Sequence, residues 1–232
     1  AMKSDEVDRS DTLKTIVQVI LPQAIQQDKY CFAAYRQMAE LFLEAFNTID
    51  AKATIEEALK LNAQQPELIY CQGLFQMERY ALRPKAMGTL SHALKVNPNL
   101  TEALDAATTI ALSDEQYEKT DAYLKRALAV NPQSLPTLSL LAAMYYMRGR
   151  NIAYQNTCKK ILAINPNYGE LYYIVGQLVT HKRHFTDSAR LSRKAVELDP
   201  FLWHAYIALG TNLMRLGQVE QAEKYFKRIQ QE

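Results

Sequence analysis

The sequence of 232 residues contains few of the residues that interrupt or cross-link a chain, with seven glycines, eight prolines and three cysteines. Glycine and proline at this frequency exclude a loop-rich or disordered protein. Cys31, Cys71 and Cys158 are odd in number, widely spaced and form no C-x-x-C pair, which argues against a disulfide framework and a zinc knuckle. We therefore expect buried thiols in a reducing compartment.

Long apolar runs and an excess of one charge are also absent. No stretch of about 18 apolar residues occurs, so the sequence predicts no membrane insertion. The apolar piece TIVQVILPQAI contains Gln18 and Pro22 and follows a charged start, unlike a signal peptide. The net charge of +2 excludes nucleic acid as the default partner. A cytoplasmic location is favoured, and a periplasmic one stays open if an upstream signal is missing.

The motifs of common catalytic and cofactor sites are missing as well. The sequence contains no H-E-x-x-H, G-x-x-x-x-G-K, G-x-G-x-x-G or G-x-S-x-G pattern. His181 and His184 are close, but their turn holds no third metal ligand, and we interpret it as a solvated basic turn. The basic run from Lys182 to Lys194 is interpreted as a solvated surface, with an acidic partner or a phosphate backbone as the alternative. We predict no catalytic residue, no cofactor and no metal site.

What the sequence does contain is a repeat. Four prolines recur at one constant spacing, in the contexts ALKVNPN, ALAVNPQ, ILAINPN and AVELDPF: Pro98, Pro132, Pro166 and Pro200. Proline ends one helix and can open the next, and it disfavours helical geometry in the residue before it. Asn and Asp suit that preceding position because their side chains can hydrogen-bond nearby backbone. The pattern predicts a helical array with a period of about 34 residues.

Each unit between two stops carries two amphipathic stretches. In the last unit, Tyr206, Leu209, Gly210 and Leu213 share one helical face, Gly217 marks a turn, and a second stripe follows at Ala222, Phe226 and Ile229. This pattern resembles the tetratricopeptide repeat, whose signature is W-x2-L-G-x2-Y, then A-x3-F, then Pro. Tyr206 stands where the family has Trp, and Leu213 stands at its Tyr.

The resemblance covers most of the chain, as about five full repeats and a partial sixth. The repeats are expected at about 32–65, 66–100, 101–134, 135–168, 169–202 and 203–232, with one extra residue in the RYALRPK turn. It implies an all-α fold, an α-solenoid whose stacked helix-turn-helix units form a right-handed superhelix. Gly or Ala is expected to allow close helix approach at residues 39, 73, 142, 176 and 210. Tyr154 departs from the usual small residue and puts the local packing in doubt.

Residues 1–31 are expected to form a charged tail and a capping helix. Asp11 is a candidate N-cap for a helix over about 12–28, bent or broken at Pro22. Its apolar face would hold Leu13, Ile16, Val17, Ile20 and Ala24. Two interpretations stay open, a cap over the first repeat or the second helix of an earlier repeat.

The resemblance also implies a binding surface, because in this family the first helices of successive repeats line a concave groove that holds peptides or partner helices. Carried over by position, eleven residues are candidate partner contacts: Glu67, Tyr70, Glu102, Asp105, Thr109, Ser139, Tyr146, Glu170, Tyr173, Gln177 and His204. Arg36 is followed by Glu40, and no first helix carries the Lys–Asn pair that the family uses to clamp acidic chaperone tails. Chaperone tails are therefore not expected as partners. The candidate surface is acidic with Tyr interleaved, so we predict a neutral to basic partner segment with apolar anchors.

Three functions are compared. The first is a protein–protein interaction scaffold that binds a peptide or partner segment without catalysis. The second is an accessory region cut from a larger bacterial enzyme such as a zinc peptidase, because VELDPFLWHAYIALGTNLMRLGQ is loosely similar to segments that precede such domains. The third is RNA binding, which the regular Asn-Pro stops and the small net charge disfavour.

Overall fold

The computed structural model describes residues 12–79 and 82–230, and every regular element in these ranges is helical. From Leu21 onward, the described residues form thirteen α-helices. They are α1 (Leu21–Gln27), α2 (Phe32–Glu44), α3 (Thr48–Leu61), α4 (Pro66–Glu78), α5 (Arg83–Val96), α6 (Thr101–Ser113), α7 (Tyr117–Val130), α8 (Leu135–Met147), α9 (Asn151–Ile164), α10 (Glu170–His181), α11 (Phe185–Leu198), α12 (Trp203–Arg215) and α13 (Val219–Gln230).

From α2 onward, the helices follow one another as six pairs, each with a first and a second helix. The two helices of a pair pack against each other, as α4 does with α5 and α10 with α11. Second helices also pack on the first helix of the next pair, as α3 does on α4, α7 on α8 and α11 on α12. Neither helix of a pair can bury its apolar face alone, so neighbours share one core. The predicted all-α solenoid class is confirmed.

The chain divides into two compact units, residues 1–107 and residues 108–232, which we call the N-terminal and C-terminal units. The core of the N-terminal unit includes Ala39, Leu43, Ile55 and Phe75. The C-terminal unit has a larger core, whose buried members come from α6 to α11: Leu112, Leu124, Leu138, Leu140, Ala142, Ala143, Met144, Cys158, Ile161, Leu171, Val175, Leu178, Val179 and Leu191.

The recurrent Asn or Asp explains why the second helices stop where they do. The residue after each of five second helices has an extended backbone, and its side-chain Oδ1 accepts a hydrogen bond of 3.0–3.1 Å from the backbone N–H two residues later. These residues are Asn62, Asn97, Asn131, Asn165 and Asp199. Asn62 forms this turn although Ala63 follows it, so the Asx turn forms without the proline.

The turns inside the pairs follow a second rule. Five of the turns joining a first to a second helix contain three residues, and the middle residue has a positive φ: Phe46, Glu115, Gly149, Arg183 and Gly217. Glycine adopts this left-handed conformation without the steric cost that other residues carry. The connection between α4 and α5 spans residues 79–82, one residue more, so the extra residue of the second repeat lies where the sequence predicts.

The N-terminal helix is not broken at Pro22, one of the two alternatives that the sequence left open. Helical backbone runs from residue 12 to Gln27 without a break, and a π-helical segment, Ile16–Ile20, precedes α1. The N–H of Leu21 donates to the carbonyl of Ile16, and this wider turn helps to accommodate a proline, which would clash in a regular α-helix. The predicted N-cap, Asp11, lies outside the described residues.

The apolar face predicted for this helix is only partly covered. Leu13 and Ile20 are 42% and 52% exposed, while Ile16, Val17 and Ala24 are half-buried. The capping role therefore stays a prediction. No helix within residues 12–79 and 82–230 has the length and apolar character needed to cross a bilayer.

Candidate partner-binding surface

All eleven candidate contact residues lie on first helices of the pairs, and we call the surface that these residues form within each unit the first-helix face. In the N-terminal unit it is crossed by an ion-pair network. Arg36 on α2 donates from Nε to Glu40 Oε1 over 2.9 Å and from Nη2 to Glu102 Oε1 over 2.8 Å. Because Glu102 lies on α6, the network joins the first and third pairs.

The network also changes the acidity of its members. Burial alone would lower the pKa of Arg36, but hydrogen bonds to Glu102 and Glu40 raise it. Burial would likewise raise the pKa of Glu102, yet the hydrogen bond from Arg36 lowers it. Both groups are therefore held in their charged forms. Glu102 is already bound within the chain, and a partner would have to compete with Arg36 for it.

Tyr70 lies on α4, the helix between those that Arg36 and Glu102 occupy. It is half-buried and packs against the core group that contains Ala39 and Phe75. Burial, and secondly the charge of Glu40, raises its pKa. The same two causes raise the pKa of the buried thiol of Cys71 to about 12, so this cysteine is a thiol at neutral pH. Tyr70 therefore belongs partly to the core.

The remaining candidates of α4 and α6 are half-buried. Glu67 Oε2 accepts a hydrogen bond of 2.9 Å from Gln65 Nε2. The carbonyl of Thr109 accepts a hydrogen bond of 2.9 Å from the hydroxyl of Ser113. Asp105 is on the same helix, two turns before Ser113.

Two candidates of α8 are placed differently from expectation. Ser139 was expected to face outward, but it is fully buried and its hydroxyl donates to the carbonyl of Leu135 over 2.8 Å. This assignment is wrong because α8 is buried on several sides, as Leu140 and Ala143 also show. Tyr146 is half-buried against second helices. Its ring packs edge-on to Tyr154, with centroids 5.1 Å apart.

The hydroxyl of Tyr146 accepts a hydrogen bond of 2.9 Å from Arg190 Nη2 on α11. Burial is the main cause that raises its pKa, with the charge of Asp187 second. The bulky Tyr154 is accommodated by this ring contact, and its own pKa is raised mainly by burial. The two tyrosines thus fill the space between α8 and its neighbouring second helices.

The last four candidates form one cluster on α10 and α12, which we call the Tyr173 cluster. The rings of Tyr173 and His204 lie 6.3 Å apart and are tilted by 46°. Burial raises the pKa of Tyr173, a hydrogen bond with Gln177 lowers it, and the charge of Glu170 raises it further. All four residues are half-buried, so an aromatic surface lies beside a carboxylate and an amide.

Sequence reasoning missed one member of this surface. Ile207 on α12 is 41% exposed, one helical turn after His204. It stands one full repeat after Tyr173, so the repeat period itself would have pointed to it. A surface isoleucine one turn from His204 could anchor an apolar side chain of a partner. Among the residues that the structure describes, no group of three or more His, Cys, Asp or Glu side chains could hold a metal ion.

Comparison with known proteins now names the repeat. The family described as tetratricopeptide repeat matches residues 204–231, the last helix pair. The last helix pair is a tetratricopeptide repeat. A tetratricopeptide repeat protein from Parabacteroides merdae has 17% identity and a TM-score of 0.60, over 98% of this chain and 89% of that one. The predicted resemblance is confirmed, and a role in protein interaction is typical of this repeat family.

Two further solved structures share the fold. A thermophilic tetratricopeptide repeat protein of Thermus thermophilus has 19% identity and a TM-score of 0.59, over 78% of this chain and 97% of that one. PilW, a type IV pilus biogenesis factor, has 18% identity and a TM-score of 0.59, over 91% of this chain and 96% of that one. No curated protein sequence matches the chain. At these identities the structural likeness concerns the fold alone.

Proposed function

We propose that this tetratricopeptide repeat protein is a non-catalytic scaffold that binds a protein segment on its first-helix face, centred on the Tyr173 cluster. The carrying observation is that the rings of Tyr173 and His204 pack together across two first helices, with Glu170 close to Tyr173 and the exposed Ile207 one turn after His204. Aromatic and aliphatic side chains of this kind are common anchors in protein interfaces.

The charges of the first helices favour a neutral to basic segment. In the C-terminal unit Glu170 supplies the carboxylate of the cluster, and α8 carries no acidic or basic residue that would oppose it. In the N-terminal unit the carboxylates of Glu67, Glu102 and Asp105 outnumber Arg36 on the candidate face. Complementary charge would guide such a segment and set its orientation more than its affinity. Tyr70 and Glu102 contribute less, because the core and the Arg36 network occupy them.

Selection from a random peptide library displayed on phage tests this proposal. We expect enrichment of peptides that combine Lys or Arg with an aromatic or aliphatic residue, and weaker binding of those peptides to Tyr173→Ala and Ile207→Ser. Ile152→Ser is the matched control, because Ile152 is a highly exposed isoleucine of α9, a second helix. Equal binding to Ile207→Ser and wild type, or enrichment of acidic peptides that depend on Tyr173, would contradict the proposal.

The scaffold could also serve within a larger enzyme, such as a bacterial zinc peptidase. The full reading frame separates this version from a self-standing scaffold, because a peptidase domain would carry an H-E-x-x-H motif. The peptide test applies unchanged to both versions.

A further inference from the structure

The second helices of the C-terminal unit carry a basic pair at the same place in every repeat. The pairs recur once per repeat, and the first three precede the terminal Asn or Asp of their helices by the same short distance: Lys125–Arg126, Lys159–Lys160, Arg193–Lys194 and Lys227–Arg228. In the N-terminal unit the corresponding positions hold Glu56–Glu57 and Ser91–His92. The recurrence of basic pairs is therefore a property of the C-terminal unit and is not required by the repeat.

The charge totals of the two units agree with this contrast. Residues 108–232 contain 16 Lys and Arg against 11 Asp and Glu, while residues 1–107 contain 11 against 14. The net charge of the whole chain is therefore small because a basic C-terminal unit is combined with an acidic N-terminal unit. Helix α9, the second of the four helices that carry a basic pair, contains Lys159 and Lys160 and no acidic residue.

The structure shows how the pairs are held. The second member tends to lie against its own repeat: Lys194 Nζ lies 5.3 Å from the ring centroid of Tyr172, and Arg228 Cζ lies 5.5 Å from that of Tyr206. Lys160 Nζ donates to the carbonyl of Pro132 over 3.4 Å. These contacts orient the long side chains, so the side chains lose less conformational entropy when a partner binds.

Three of the four first members, Lys125, Lys159 and Lys227, are exposed, and Arg193 is half-buried. Lys125 and Lys227 are exposed and form ion pairs within their own helices, with Asp121 over 2.6 Å and Glu223 over 2.7 Å. Exposed pairs four residues apart on a helix are weak, so a partner carboxylate could replace the internal one. Lys159 is also exposed, on the helix without acidic residues.

Apolar side chains accompany the basic pairs. Val130 lies one helical turn after Arg126 and is 46% exposed, and Ile164 lies one turn after Lys160 and is 43% exposed. Residues four apart share one face of a helix, so each of these two helices presents a cation and an aliphatic group side by side. We call the four basic pairs together with Val130 and Ile164 the basic stripe.

We propose that the basic stripe binds an acidic protein segment that also carries aliphatic side chains. Carboxylates of the segment would pair with Lys125, Lys159 and their equivalents, and its aliphatic groups would cover Val130 and Ile164. Nucleic acid fits less well, because its phosphates would not cover the aliphatic groups. Carboxylates on the second helices, such as Glu118 and Glu197, would also repel phosphates. This site is separate from the first-helix face and would take a partner of the opposite charge.

Fluorescence anisotropy with a labelled 15-residue peptide of Glu, Asp and Leu tests the proposal. We expect saturable binding that Lys159→Gln/Lys160→Gln weakens by about five- to tenfold, since each exposed charge pair contributes modestly. The matched control is Lys52→Gln/Lys60→Gln, which removes the same charge from α3 and should leave binding unchanged. Thermal unfolding of both variants should equal that of wild type, because all four lysines are exposed.

The proposal would be overturned by an equal loss in the α3 control, by equal affinity for a peptide with Ser in place of Leu, by tighter binding of a 15-nucleotide single-stranded RNA, or by tighter binding to phosphatidylserine vesicles. The site is also separable from the first-helix face, because Tyr173→Ala should not weaken the acidic peptide. A loss of acidic-peptide binding in Tyr173→Ala would show that the two surfaces are one and contradict this inference alone.

Discussion

Gly73 in the N-terminal unit and Gly176 in the C-terminal unit occupy the same place in their repeats, yet they face different neighbours. A Cβ added to Gly73 would lie 2.6 Å from Leu90 Cδ2, which is closer than real contacts allow. A Cβ added to Gly176 would meet nothing nearer than 3.4 Å, and its neighbours are Leu191, Ser192 and Ser188. The first glycine is required by the packing, whereas the second leaves room for a methyl group.

The difference comes from the second helix of each pair. Leu90 and Ser192 occupy equivalent places on α5 and α11, and the small serine leaves the space that leucine fills. The Oγ of Ser192 is buried and has no hydrogen-bond partner. The nearby hydroxyl of Ser188, in contrast, donates to the carbonyl of Gly176 over 2.9 Å and accepts from Asn212 Nδ2 over 2.9 Å. The same small residue of the repeat signature is thus a steric requirement in one unit only.

The largest expected effect is from a large side chain at the roomier position. Gly176→Leu should destabilise the chain by about 3 kcal/mol or more, because leucine exceeds the space between α10 and α11 and overpacks the core. Thermal unfolding followed by circular dichroism measures the change. An unchanged melting temperature would show that Gly176 does not lie in the packed interface between α10 and α11.

Alanine at the two glycines should have opposite effects. Gly73→Ala should destabilise by about 1–3 kcal/mol, because its Cβ displaces Leu90. Gly176→Ala should stabilise by up to about 1 kcal/mol, because alanine favours the helix and fits the space. Urea unfolding of both variants measures the change in the free energy of unfolding. A change of the same sign in both variants would contradict the contrast between the two glycines.

Removal of the unpaired hydroxyl comes next. Ser192→Ala should stabilise the chain by about 1 kcal/mol, because it removes a buried hydroxyl that lacks a partner. Ser188→Ala is the control and should destabilise, because it leaves its hydrogen-bonding partners around Asn212 unsatisfied. Urea unfolding measures both, and a loss of stability in Ser192→Ala would indicate that its hydroxyl has a role in the folded chain.

The smallest expected effect concerns the ion pair of the N-terminal unit. Burial raises the pKa of Glu102 but the hydrogen bond from Arg36 outweighs it, so the folded pKa lies below the ordinary value of 4.5. The stability from this group is fully present above pH 4.5 and is lost as the pH falls through the folded pKa. Glu102→Gln should therefore cost under about 1 kcal/mol at pH 7, since the pair is partly exposed.

Urea unfolding at pH 7 and pH 3 tests this sign. The difference between Glu102→Gln and wild type should shrink as the pH falls from 7 to 3, because the stability from this carboxylate is lost as the pH falls through its lowered folded pKa. Glu118→Gln, at an exposed glutamate of α7, is the control and should show no such dependence. A difference that grows at low pH would contradict the assignment.

Much of the architecture could be predicted because the helix ends and turns depend on residues that are close together in the sequence. The Asn-Pro stops act on their own helix, and the Asx turns at Asn97 and Asn165 form within three residues. The period also places Glu170, Tyr173, Gln177 and His204 on first helices, where Tyr173 and His204 pack together. The burial of Ser139 could not be predicted in this way, because it depends on how many sides of α8 are covered.

Gly169 illustrates what remained outside sequence reasoning. A Cβ there would lie 2.5 Å from the carbonyl oxygen of Ala195 and 2.8 Å from Asp199 Cβ, so the end of α11 approaches the start of α10 too closely for any other residue without a shift. Nothing in the signature marks this position, since the contact joins opposite ends of one helix pair. The Arg36–Glu102 pair spans 66 residues and was equally hidden.

The sequence by itself determined the period, the helix ends and the kind of residue at each repeat position, because these depend on backbone conformations that nearby residues control. The tertiary structure alone decided which of the equivalent positions are crowded, paired or open. Those properties depend on distances between side chains of different helices, and a difference such as Leu90 in one repeat and Ser192 in another changes them without altering the pattern.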